Sequence, residues 1–384
     1  MGSQCHVESR TSPVISLPHR EAGSNSARPV CDDVAPDLAM RPLRIGRVEF
    51  VSPAVQAALS GYSDWPMRLI SRRYGAAYAV DEVMIDQFVL DQRRRRARTK
   101  HVFRVTDEDH PIGGQLMGAD PELFAPAAVR LVEAGFDVID INFGCPVKSA
   151  VGGCRGGYHL GQPEKALEIV RRVRDVVPSE VPVTVKLRRG IDDSAASRDR
   201  FFEIVDGAFD FGIAAVTVHG RTVEQKYKGP SRWDFLREVK THVGDRTVIG
   251  SGDLFTAEAC VRMMRETGVD GVSIARGSIG NPWIFCQFDA LRNGNPLPAP
   301  PAVREQADVL REHFALAQQC YDERRSVGQM KKFGIKYTRL HPDRAQVRDA
   351  FVAAKTPEEW RSVIDHWYHD DRPGQYPHVD ETTE

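Results

Sequence analysis

The stretch INFGCPVKSAVGGCRGG, residues 141–157, sets a single thiol, Cys145, after an Asn-Phe-Gly turn and before a proline, with a glycine-rich run following. A thiol with the ordinary pKa near 8.5 is about 97% protonated at neutral pH, so a cysteine placed to react is a loaded proton donor. Most lone cysteines are simply small buried hydrophobes. The position of Cys145 at the end of the apolar run VIDINF argues for a reacting group, whereas Cys154 has no such setting and reads as structural. Other residues able to do chemistry also stand at the ends of apolar runs: Ser60, Glu82, Gln115, Asn142, Lys186 with Arg188, His219 with Arg221, Ser251-Gly252-Asp253, and Ala275-Arg276-Gly277. Singly each has a plain explanation, such as Asp253 capping a helix near Thr256 or His219 as a hydrogen-bonded core histidine. Their recurrence at every run end describes one site.

Eight apolar runs must hold these residues: VQAAL (55–59), AYAVDEV (77–83), IGGQLM (112–117), VIDINF (138–143), VTVKL (183–187), AAVTVH (214–219), TVIGSG (247–252) and GVSIA (271–275). Stretches with apolar residues at helical spacing, such as PELFAPAAVRLVEAG and QPEKALEIVRRVRDVV, separate them. Continuous apolar strands alternating with helices require a parallel sheet covered on both faces, and eight such units close into a (β/α)8 TIM barrel of the usual size. The predicted organisation is a disordered leader over 1–40, rich in Ser, Pro, Arg and Asp, and a barrel over 41–295 entered by a short hairpin in MRPLRIGRVEF. A small helical domain over 303–370 follows GNPLPAPPA, and a polar tail runs over 371–384. Met40 opens the first periodic segment and reads as an alternative start.

In this fold the active site lies at the carboxyl ends of the strands, and the loops after strands seven and eight frequently hold a phosphate on backbone N–H groups. Residues 251–253 and 275–276 fall on those loops, with Arg276 as a charged donor. Lys186, Gln115 and His219 then face the barrel axis above the phosphate. A cation beside an amide that both donates and accepts suits a flat heteroaromatic ring that gains electron density, which points to FMN.

Composition narrows the partners. The chain has 384 residues, 41% hydrophobic and 27% charged, with a formal net charge of −1. Its apolar runs fall short of the roughly 18 to 20 residues of a membrane span, and residues 1–20 lack a signal-peptide core, so a cytoplasmic location is expected. Seven scattered cysteines without a CxxC argue against a disulfide framework and a zinc site, and no metal is expected. With no global field, a polyanion must be held by local clusters: RRRRARTKH at 93–101, Arg171 with Arg172 and Arg174, or Lys331, Lys332, Lys336 and Arg339 in QMKKFGIKYTR. Taken alone, each run reads as a solvated face.

The blocks INFGCPVK, VKLRRGIDD, VHGRTVEQKYKGPSRWDF, GSGDLFTAE and TGVDGVSIARGSIGNPWIF resemble the successive motifs of the tRNA-dihydrouridine synthase family, and ALSGYSDWPMRLISRRYGA resembles its first strand and helix. The resemblance implies an oxidoreductase that uses FMN and NADPH to reduce the 5,6 double bond of a uridine in folded tRNA. It implies that Cys145 protonates C5 while a hydride reaches C6 from the opposite face. It carries Ala58, Leu59, Ser60, Gln115, Lys186, His219, Ser251, Gly252, Asp253, Ala275 and Arg276 over as flavin contacts. Asn142 and Arg221 fall at the uracil or its ribose, and MKKFGIKYTRLHP, with Lys331, Lys332 and Lys336, falls on a basic RNA-binding helix; a monomer is expected. Asp64 and Glu82 brace Arg68 or a helix start. Departures are Ala58-Leu59 for the usual Pro-Met, Ser251-Gly252-Asp253 for Asn-Gly-Asp, and a less basic segment, KSAVGGCRGGYHL, after the cysteine. The alternatives are an FMN-dependent dihydroorotate dehydrogenase-like enzyme, a dihydrouridine synthase acting on another RNA, and an idle RNA-binding barrel without flavin.

Overall fold

Small and β-branched residues fill the apolar runs, so each packs well as a strand buried on both faces. The structure, a computed structural model, describes residues 41–91 and 103–377. The expected leader and the arginine run at 93–101 lie outside the described residues. Eight parallel strands form the barrel: β3 (Ala54–Gln56), β4 (Tyr78–Val80), β6 (Ile112–Met117), β7 (Val138–Phe143), β8 (Val183–Arg188), β9 (Ala215–His219), β10 (Thr247–Ser251) and β11 (Gly271–Ile274). Neighbours pair in sequence order, and closure comes from β11 on β3, with Val272 opposite Ala54, and β4 on β6, with Ala79 opposite Ile112. A hairpin of β1 (Leu43–Ile45) and β2 (Val48–Phe50) precedes the barrel, and Leu43, Ile45 and Phe50 join Val55, Tyr78, Val138, Ala215 and Ile249 in a core of their own.

The second strand differs from the expected single run over 77–83. It stops at Val80, and a two-residue piece, β5 (Met84–Ile85), resumes pairing with the end of β6. Asp81 causes the interruption. Its carboxylate turns inward to the fully buried Arg68 at 2.5 Å, and the same guanidinium holds Asp109 at 2.6 Å. A buried cation needs such partners, so the ladder yields to the ion pair.

Polar residues start the covering helices where capping chemistry requires them. Asp64 accepts from the Met67 N–H at the start of α1 (Trp65–Arg73), Asp120 caps α3 (Pro121–Glu133), and Thr256 caps α8 (Ala257–Thr267). Asp253 therefore is not the α8 cap. The chain then forms four further helices, α10 (Val303–Cys320), α11 (Glu323–Tyr337), α12 (Arg344–Ala353) and α13 (Pro357–Trp367). Their core, around Phe314, Phe333, Phe351 and Trp360, is continuous with Trp65, Leu69, Ile279 and Trp283 from the barrel side. Residues 371–377 are stitched back: Gln375 donates to the carbonyls of Arg339 and His341, and its N–H to that of Leu340.

Candidate active site

The strand ends converge on one cleft of about 560 Å³. Ala58, Leu59, Ser60, Gln115, Asn142, Cys145, Lys186, His219, Ser251, Gly252, Asp253, Ala275 and Arg276 all line it, so the sequence-predicted residues of seven of the eight strand ends meet there. Arg221, Lys331, Lys332 and Lys336 are not among the lining residues.

A hydrogen-bonded chain sets the floor. Asp140, on β7, accepts from Thr184 Oγ1 at 2.5 Å and from Gln115 Nε2 at 2.6 Å. Gln115 Oε1 in turn accepts from Asn142 Nδ2 at 2.7 Å. Asn142 Oδ1 then accepts the Gly144 and Cys145 N–H groups at 2.9 and 3.0 Å. The amides that the sequence assigns to ligands thus spend most of their capacity orienting each other, each keeping one N–H for a ligand. The main contribution of Asn142 is to hold the turn that carries Cys145. Asp140 and Thr184 were missed by sequence reasoning; the one signal was a carboxylate inside the apolar run VIDINF.

The Cys145 segment is held from three sides. Arg188, at the end of β8, donates to the Gly144 carbonyl at 2.9 Å and to those of Thr222 and Lys226 at 2.9 and 2.7 Å. The Gly157 N–H donates to the Cys145 carbonyl at 3.0 Å. His159 reaches the Gly118 carbonyl at 2.9 Å. The glycines after the cysteine serve close packing: a Cβ at Gly156, whose φ is +57°, would lie 2.8 Å from Cys145 Cβ, and one at Gly157 2.6 Å from Val223 Cγ2. Cys154 also has a positive φ, 56°, in this loop, and it does not line the cleft.

Positive charge dominates the site. Lys186 is pushed down to about 8 by burial and by Arg188, against the pull of Asp140 and Cys145. Burial and the same cations, Arg188, Lys186, Arg221 and Arg276, drive His219 well below its ordinary value, so the imidazole is neutral. Its Nδ1 accepts the Arg221 N–H at 3.1 Å, which leaves the proton on Nε2. Arg221 is 1% exposed and pairs with Asp253 at 2.7 and 2.9 Å and with the Gly229 carbonyl at 2.8 and 2.6 Å. Contrary to the expectation from sequence, its guanidinium serves the interior and braces the Asp253 loop. Arg276 lies 3.9 Å from Asp253, and both it and Arg188 sit over the ring of Tyr227, a cleft residue that sequence reasoning did not single out.

The loops after β10 and β11 meet without room for side chains. Gly252 has a φ of +117°, and a Cβ on Gly277 would approach the Leu254 carbonyl oxygen to 2.1 Å. Asp64 and Glu82 lie outside the cleft wall: Asp64 caps α1 and accepts from Tyr321 Oη at 2.7 Å, and burial raises the Glu82 carboxyl. Lys332, half-buried, donates to the Gly61 carbonyl at 2.8 Å, so its ammonium is engaged by the barrel side.

The sequence profile described as "Dihydrouridine synthase (Dus)" matches residues 55–369. The chain belongs to the dihydrouridine synthase family. It is 30% identical over 326 residues to a probable tRNA-dihydrouridine synthase of Rickettsia conorii, covering 85% of this chain and 96% of the relative. It is 33% identical over 335 residues to tRNA-dihydrouridine synthase B of Shewanella oneidensis, covering 85% and 98%. A probable tRNA-dihydrouridine synthase of Mycobacterium tuberculosis matches at 32% over 331 residues, 84% of each chain. Family membership sets aside the dihydroorotate dehydrogenase-like alternative. Among solved structures, a 2-naphthoyl-CoA reductase superposes at a TM-score of 0.54 with 11% identity over 68% of this chain and 53% of that one. The 6-hydroxypseudooxynicotine amine oxidase HisD of Pseudomonas geniculata N1 does so at 0.50 with 15% identity over 72% and 52%. The chain spans about half the length of each, and identities this low speak for the barrel alone. Among the described residues, no group of three or more His, Cys, Asp or Glu could hold a metal ion, and no helix is long and apolar enough to cross a membrane.

Proposed function

We propose that this chain reduces the 5,6 double bond of a uridine in tRNA to dihydrouridine, in the cytoplasm, with FMN in the strand-end cleft and NADPH as the reductant. The observation that carries the reading is the setting of Cys145: a thiol fixed on a rigid turn at the wall of a cleft whose charged lining residues, Asp253 apart, are cationic. The residues fit FMN. Loops packed glycine to backbone beside Arg276 suit a phosphate, and Lys186 with the remaining amide proton of Gln115 suits a ring that gains negative charge. Bound FMN supplies the hydride.

The protein's own part is positioning and proton supply. Lys186 places a positive charge where electron density builds, and neutral His219 presents an N–H donor. Cys145, held through Asn142, Arg188 and Gly157, delivers the proton to C5 of the base. The uridine must leave its stack to reach the cleft, a cost that contacts to the surrounding RNA offset. Arg155, on the loop after Cys145, also lines the cleft and supplies a cation for such a contact.

Cys145→Ala tests the assignment. The variant should fold, bind flavin and accept electrons from NADPH as the wild type does, because none of those steps uses the thiol. Reoxidation of the reduced flavin by tRNA, followed after rapid mixing, should slow by roughly 10²- to 10⁴-fold, the usual size of a general-acid contribution. Reoxidation at the wild-type rate would sink the assignment and move the acid to His219 or Lys186.

A further inference from the structure

No residue of the helical domain lines the cleft, yet that domain grips two of the loops that do. Lys332, on α11, donates to the Gly61 carbonyl at 2.8 Å and lies 5.2 Å from the Tyr62 ring centroid. Its neighbour Phe333 meets the Tyr62 ring edge-on at 5.6 Å. Tyr321, just before α11, donates to Asp64, and Arg339, just after it, donates to the Ile279 carbonyl at 2.6 Å. Gly280 follows at a φ of +70°, where a Cβ would sit 2.6 Å from the Lys336 and Tyr337 backbone. Leu59, Ser60, Tyr62 and Ile279 are cleft residues. The α11 helix therefore touches the loops after the first and the eighth strand together.

Apart from α11, the first of these loops is held from outside by Arg68, which donates to the Ser63 carbonyl at 3.0 Å, and by the Glu82 carboxylate on the Gly61 N–H. Tyr62 and Ser63 donate their N–H groups to the Leu59 carbonyl, and Ser63 Oγ accepts from the Leu59 N–H, all within the turn itself. Gly61 adopts a φ of +79°, a region that a residue without a Cβ enters at no steric cost. Its carbonyl is the handle that the ammonium holds. A lysine used only for RNA phosphates would gain nothing from half-burial beside Asp64 and Glu82, because desolvation weakens an ammonium that water would otherwise serve.

We propose that Lys332 is a positioning residue of the flavin cleft: through Gly61, with Tyr321 and Arg339 in support, α11 fixes the loop after the first strand and thereby sets the affinity for FMN. This rests on the reading that the cleft takes FMN. The basic run MKKFGIKYTR is then, at Lys332, part of the cofactor site's frame.

The test uses the full chain stripped of flavin, with two readouts: the FMN dissociation constant from quenching of flavin fluorescence, and amide hydrogen exchange of the peptide spanning residues 57–64. Lys332→Met keeps the apolar stem and removes the charged donor. FMN affinity should fall roughly tenfold or more, the loss expected for a hydrogen bond to a charged group, and exchange at 57–64 should quicken. Lys332→Arg should restore most of both, while Arg324→Met, exposed on the same helix, should leave both at wild type. A folded Lys332→Met protein with wild-type affinity and exchange overturns the proposal. Should that variant not fold, Tyr321→Phe removes one oxygen from the same grip and carries the same expectation at smaller size; unchanged readouts there overturn it equally. A wild type that takes up no FMN defeats the reading of the cleft, and the exchange readout still decides whether Lys332 holds the loop.

Discussion

Lys186→Met probes the cationic floor of the cleft directly. In the flavin-free protein the Lys186 ammonium is pushed down to about 8 from 10.5, first by burial and next by Arg188. Each unit corresponds to about 1.4 kcal/mol, so the charged lysine costs the fold about 3 kcal/mol, less whatever the water at the cleft mouth recovers. The unfolded chain keeps this proton up to about pH 10.5, whereas the folded chain releases it near pH 8. Below pH 8 both states are charged and the whole penalty is present; between pH 8 and 10.5 the folded state sheds the proton and the penalty fades. Methionine has similar length and no charge, so the variant should be the more stable protein at pH 7, by up to about 3 kcal/mol, with the gap closing as pH approaches 10.5. Urea unfolding of flavin-free wild type and variant, at pH 7 and at pH 10, measures this. Adding FMN should favour the wild type, because a ligand that binds the folded state stabilises it in proportion to affinity. A variant no more stable than wild type at pH 7, or a gap that ignores pH, would refute the account of Lys186.

Arg276→Ala should lower FMN affinity roughly ten- to hundredfold with the fold intact, the size of a lost charge-assisted hydrogen bond; an unchanged dissociation constant would place the phosphate elsewhere. His313 is 1% exposed in the helical core, neither ring nitrogen has a hydrogen-bond partner, and burial pushes it down to about 3. It must stay neutral to fold while the unfolded chain takes up a proton below pH 6.5, so its share of stability is lost as pH falls from 6.5 toward 3. His313→Leu should shift the acid-unfolding midpoint, followed by circular dichroism, to lower pH, and an unmoved midpoint would contradict the burial argument.

The barrel was legible because a continuous apolar run such as VTVKL can be satisfied only where helices cover both faces, and all eight expected strands formed. The break at residues 81–83 was not, since it depends on Arg68 meeting Asp81 and Asp109, the latter 41 residues away in sequence. Cleft residues were readable as strand ends, a local property. Their partners were not: Arg221 and Asp253 each end a different strand segment, and only the closed barrel sets one against the other. The partner of Lys332 on α11 was hidden for a related reason. Met330, Phe333 and Tyr337 mark the buried stripe of that helix at helical spacing, and Lys332, beside Phe333, falls on its border. A border position serves either solvent or a neighbouring backbone, and the deciding group, the Gly61 carbonyl, is 271 residues distant.

The charge balance of the cleft carries one step further. Among the lining residues, Arg155, Lys186, Arg188 and Arg276 bring four positive charges and Asp253 brings one negative, which leaves an excess of 4 − 1 = 3. No other lining residue among those described supplies negative charge, and a phosphate monoester brings roughly −1.5 to −2 at neutral pH. Burial depresses Lys186, Arg188 and Arg276 first and their mutual repulsion adds to it, and an occupant of that charge relieves the second part. Folding stability and cofactor affinity are therefore two readings of one electrostatic strain, which is why the stability of flavin-free Lys186→Met and the flavin affinity of Arg276→Ala should move in opposite directions.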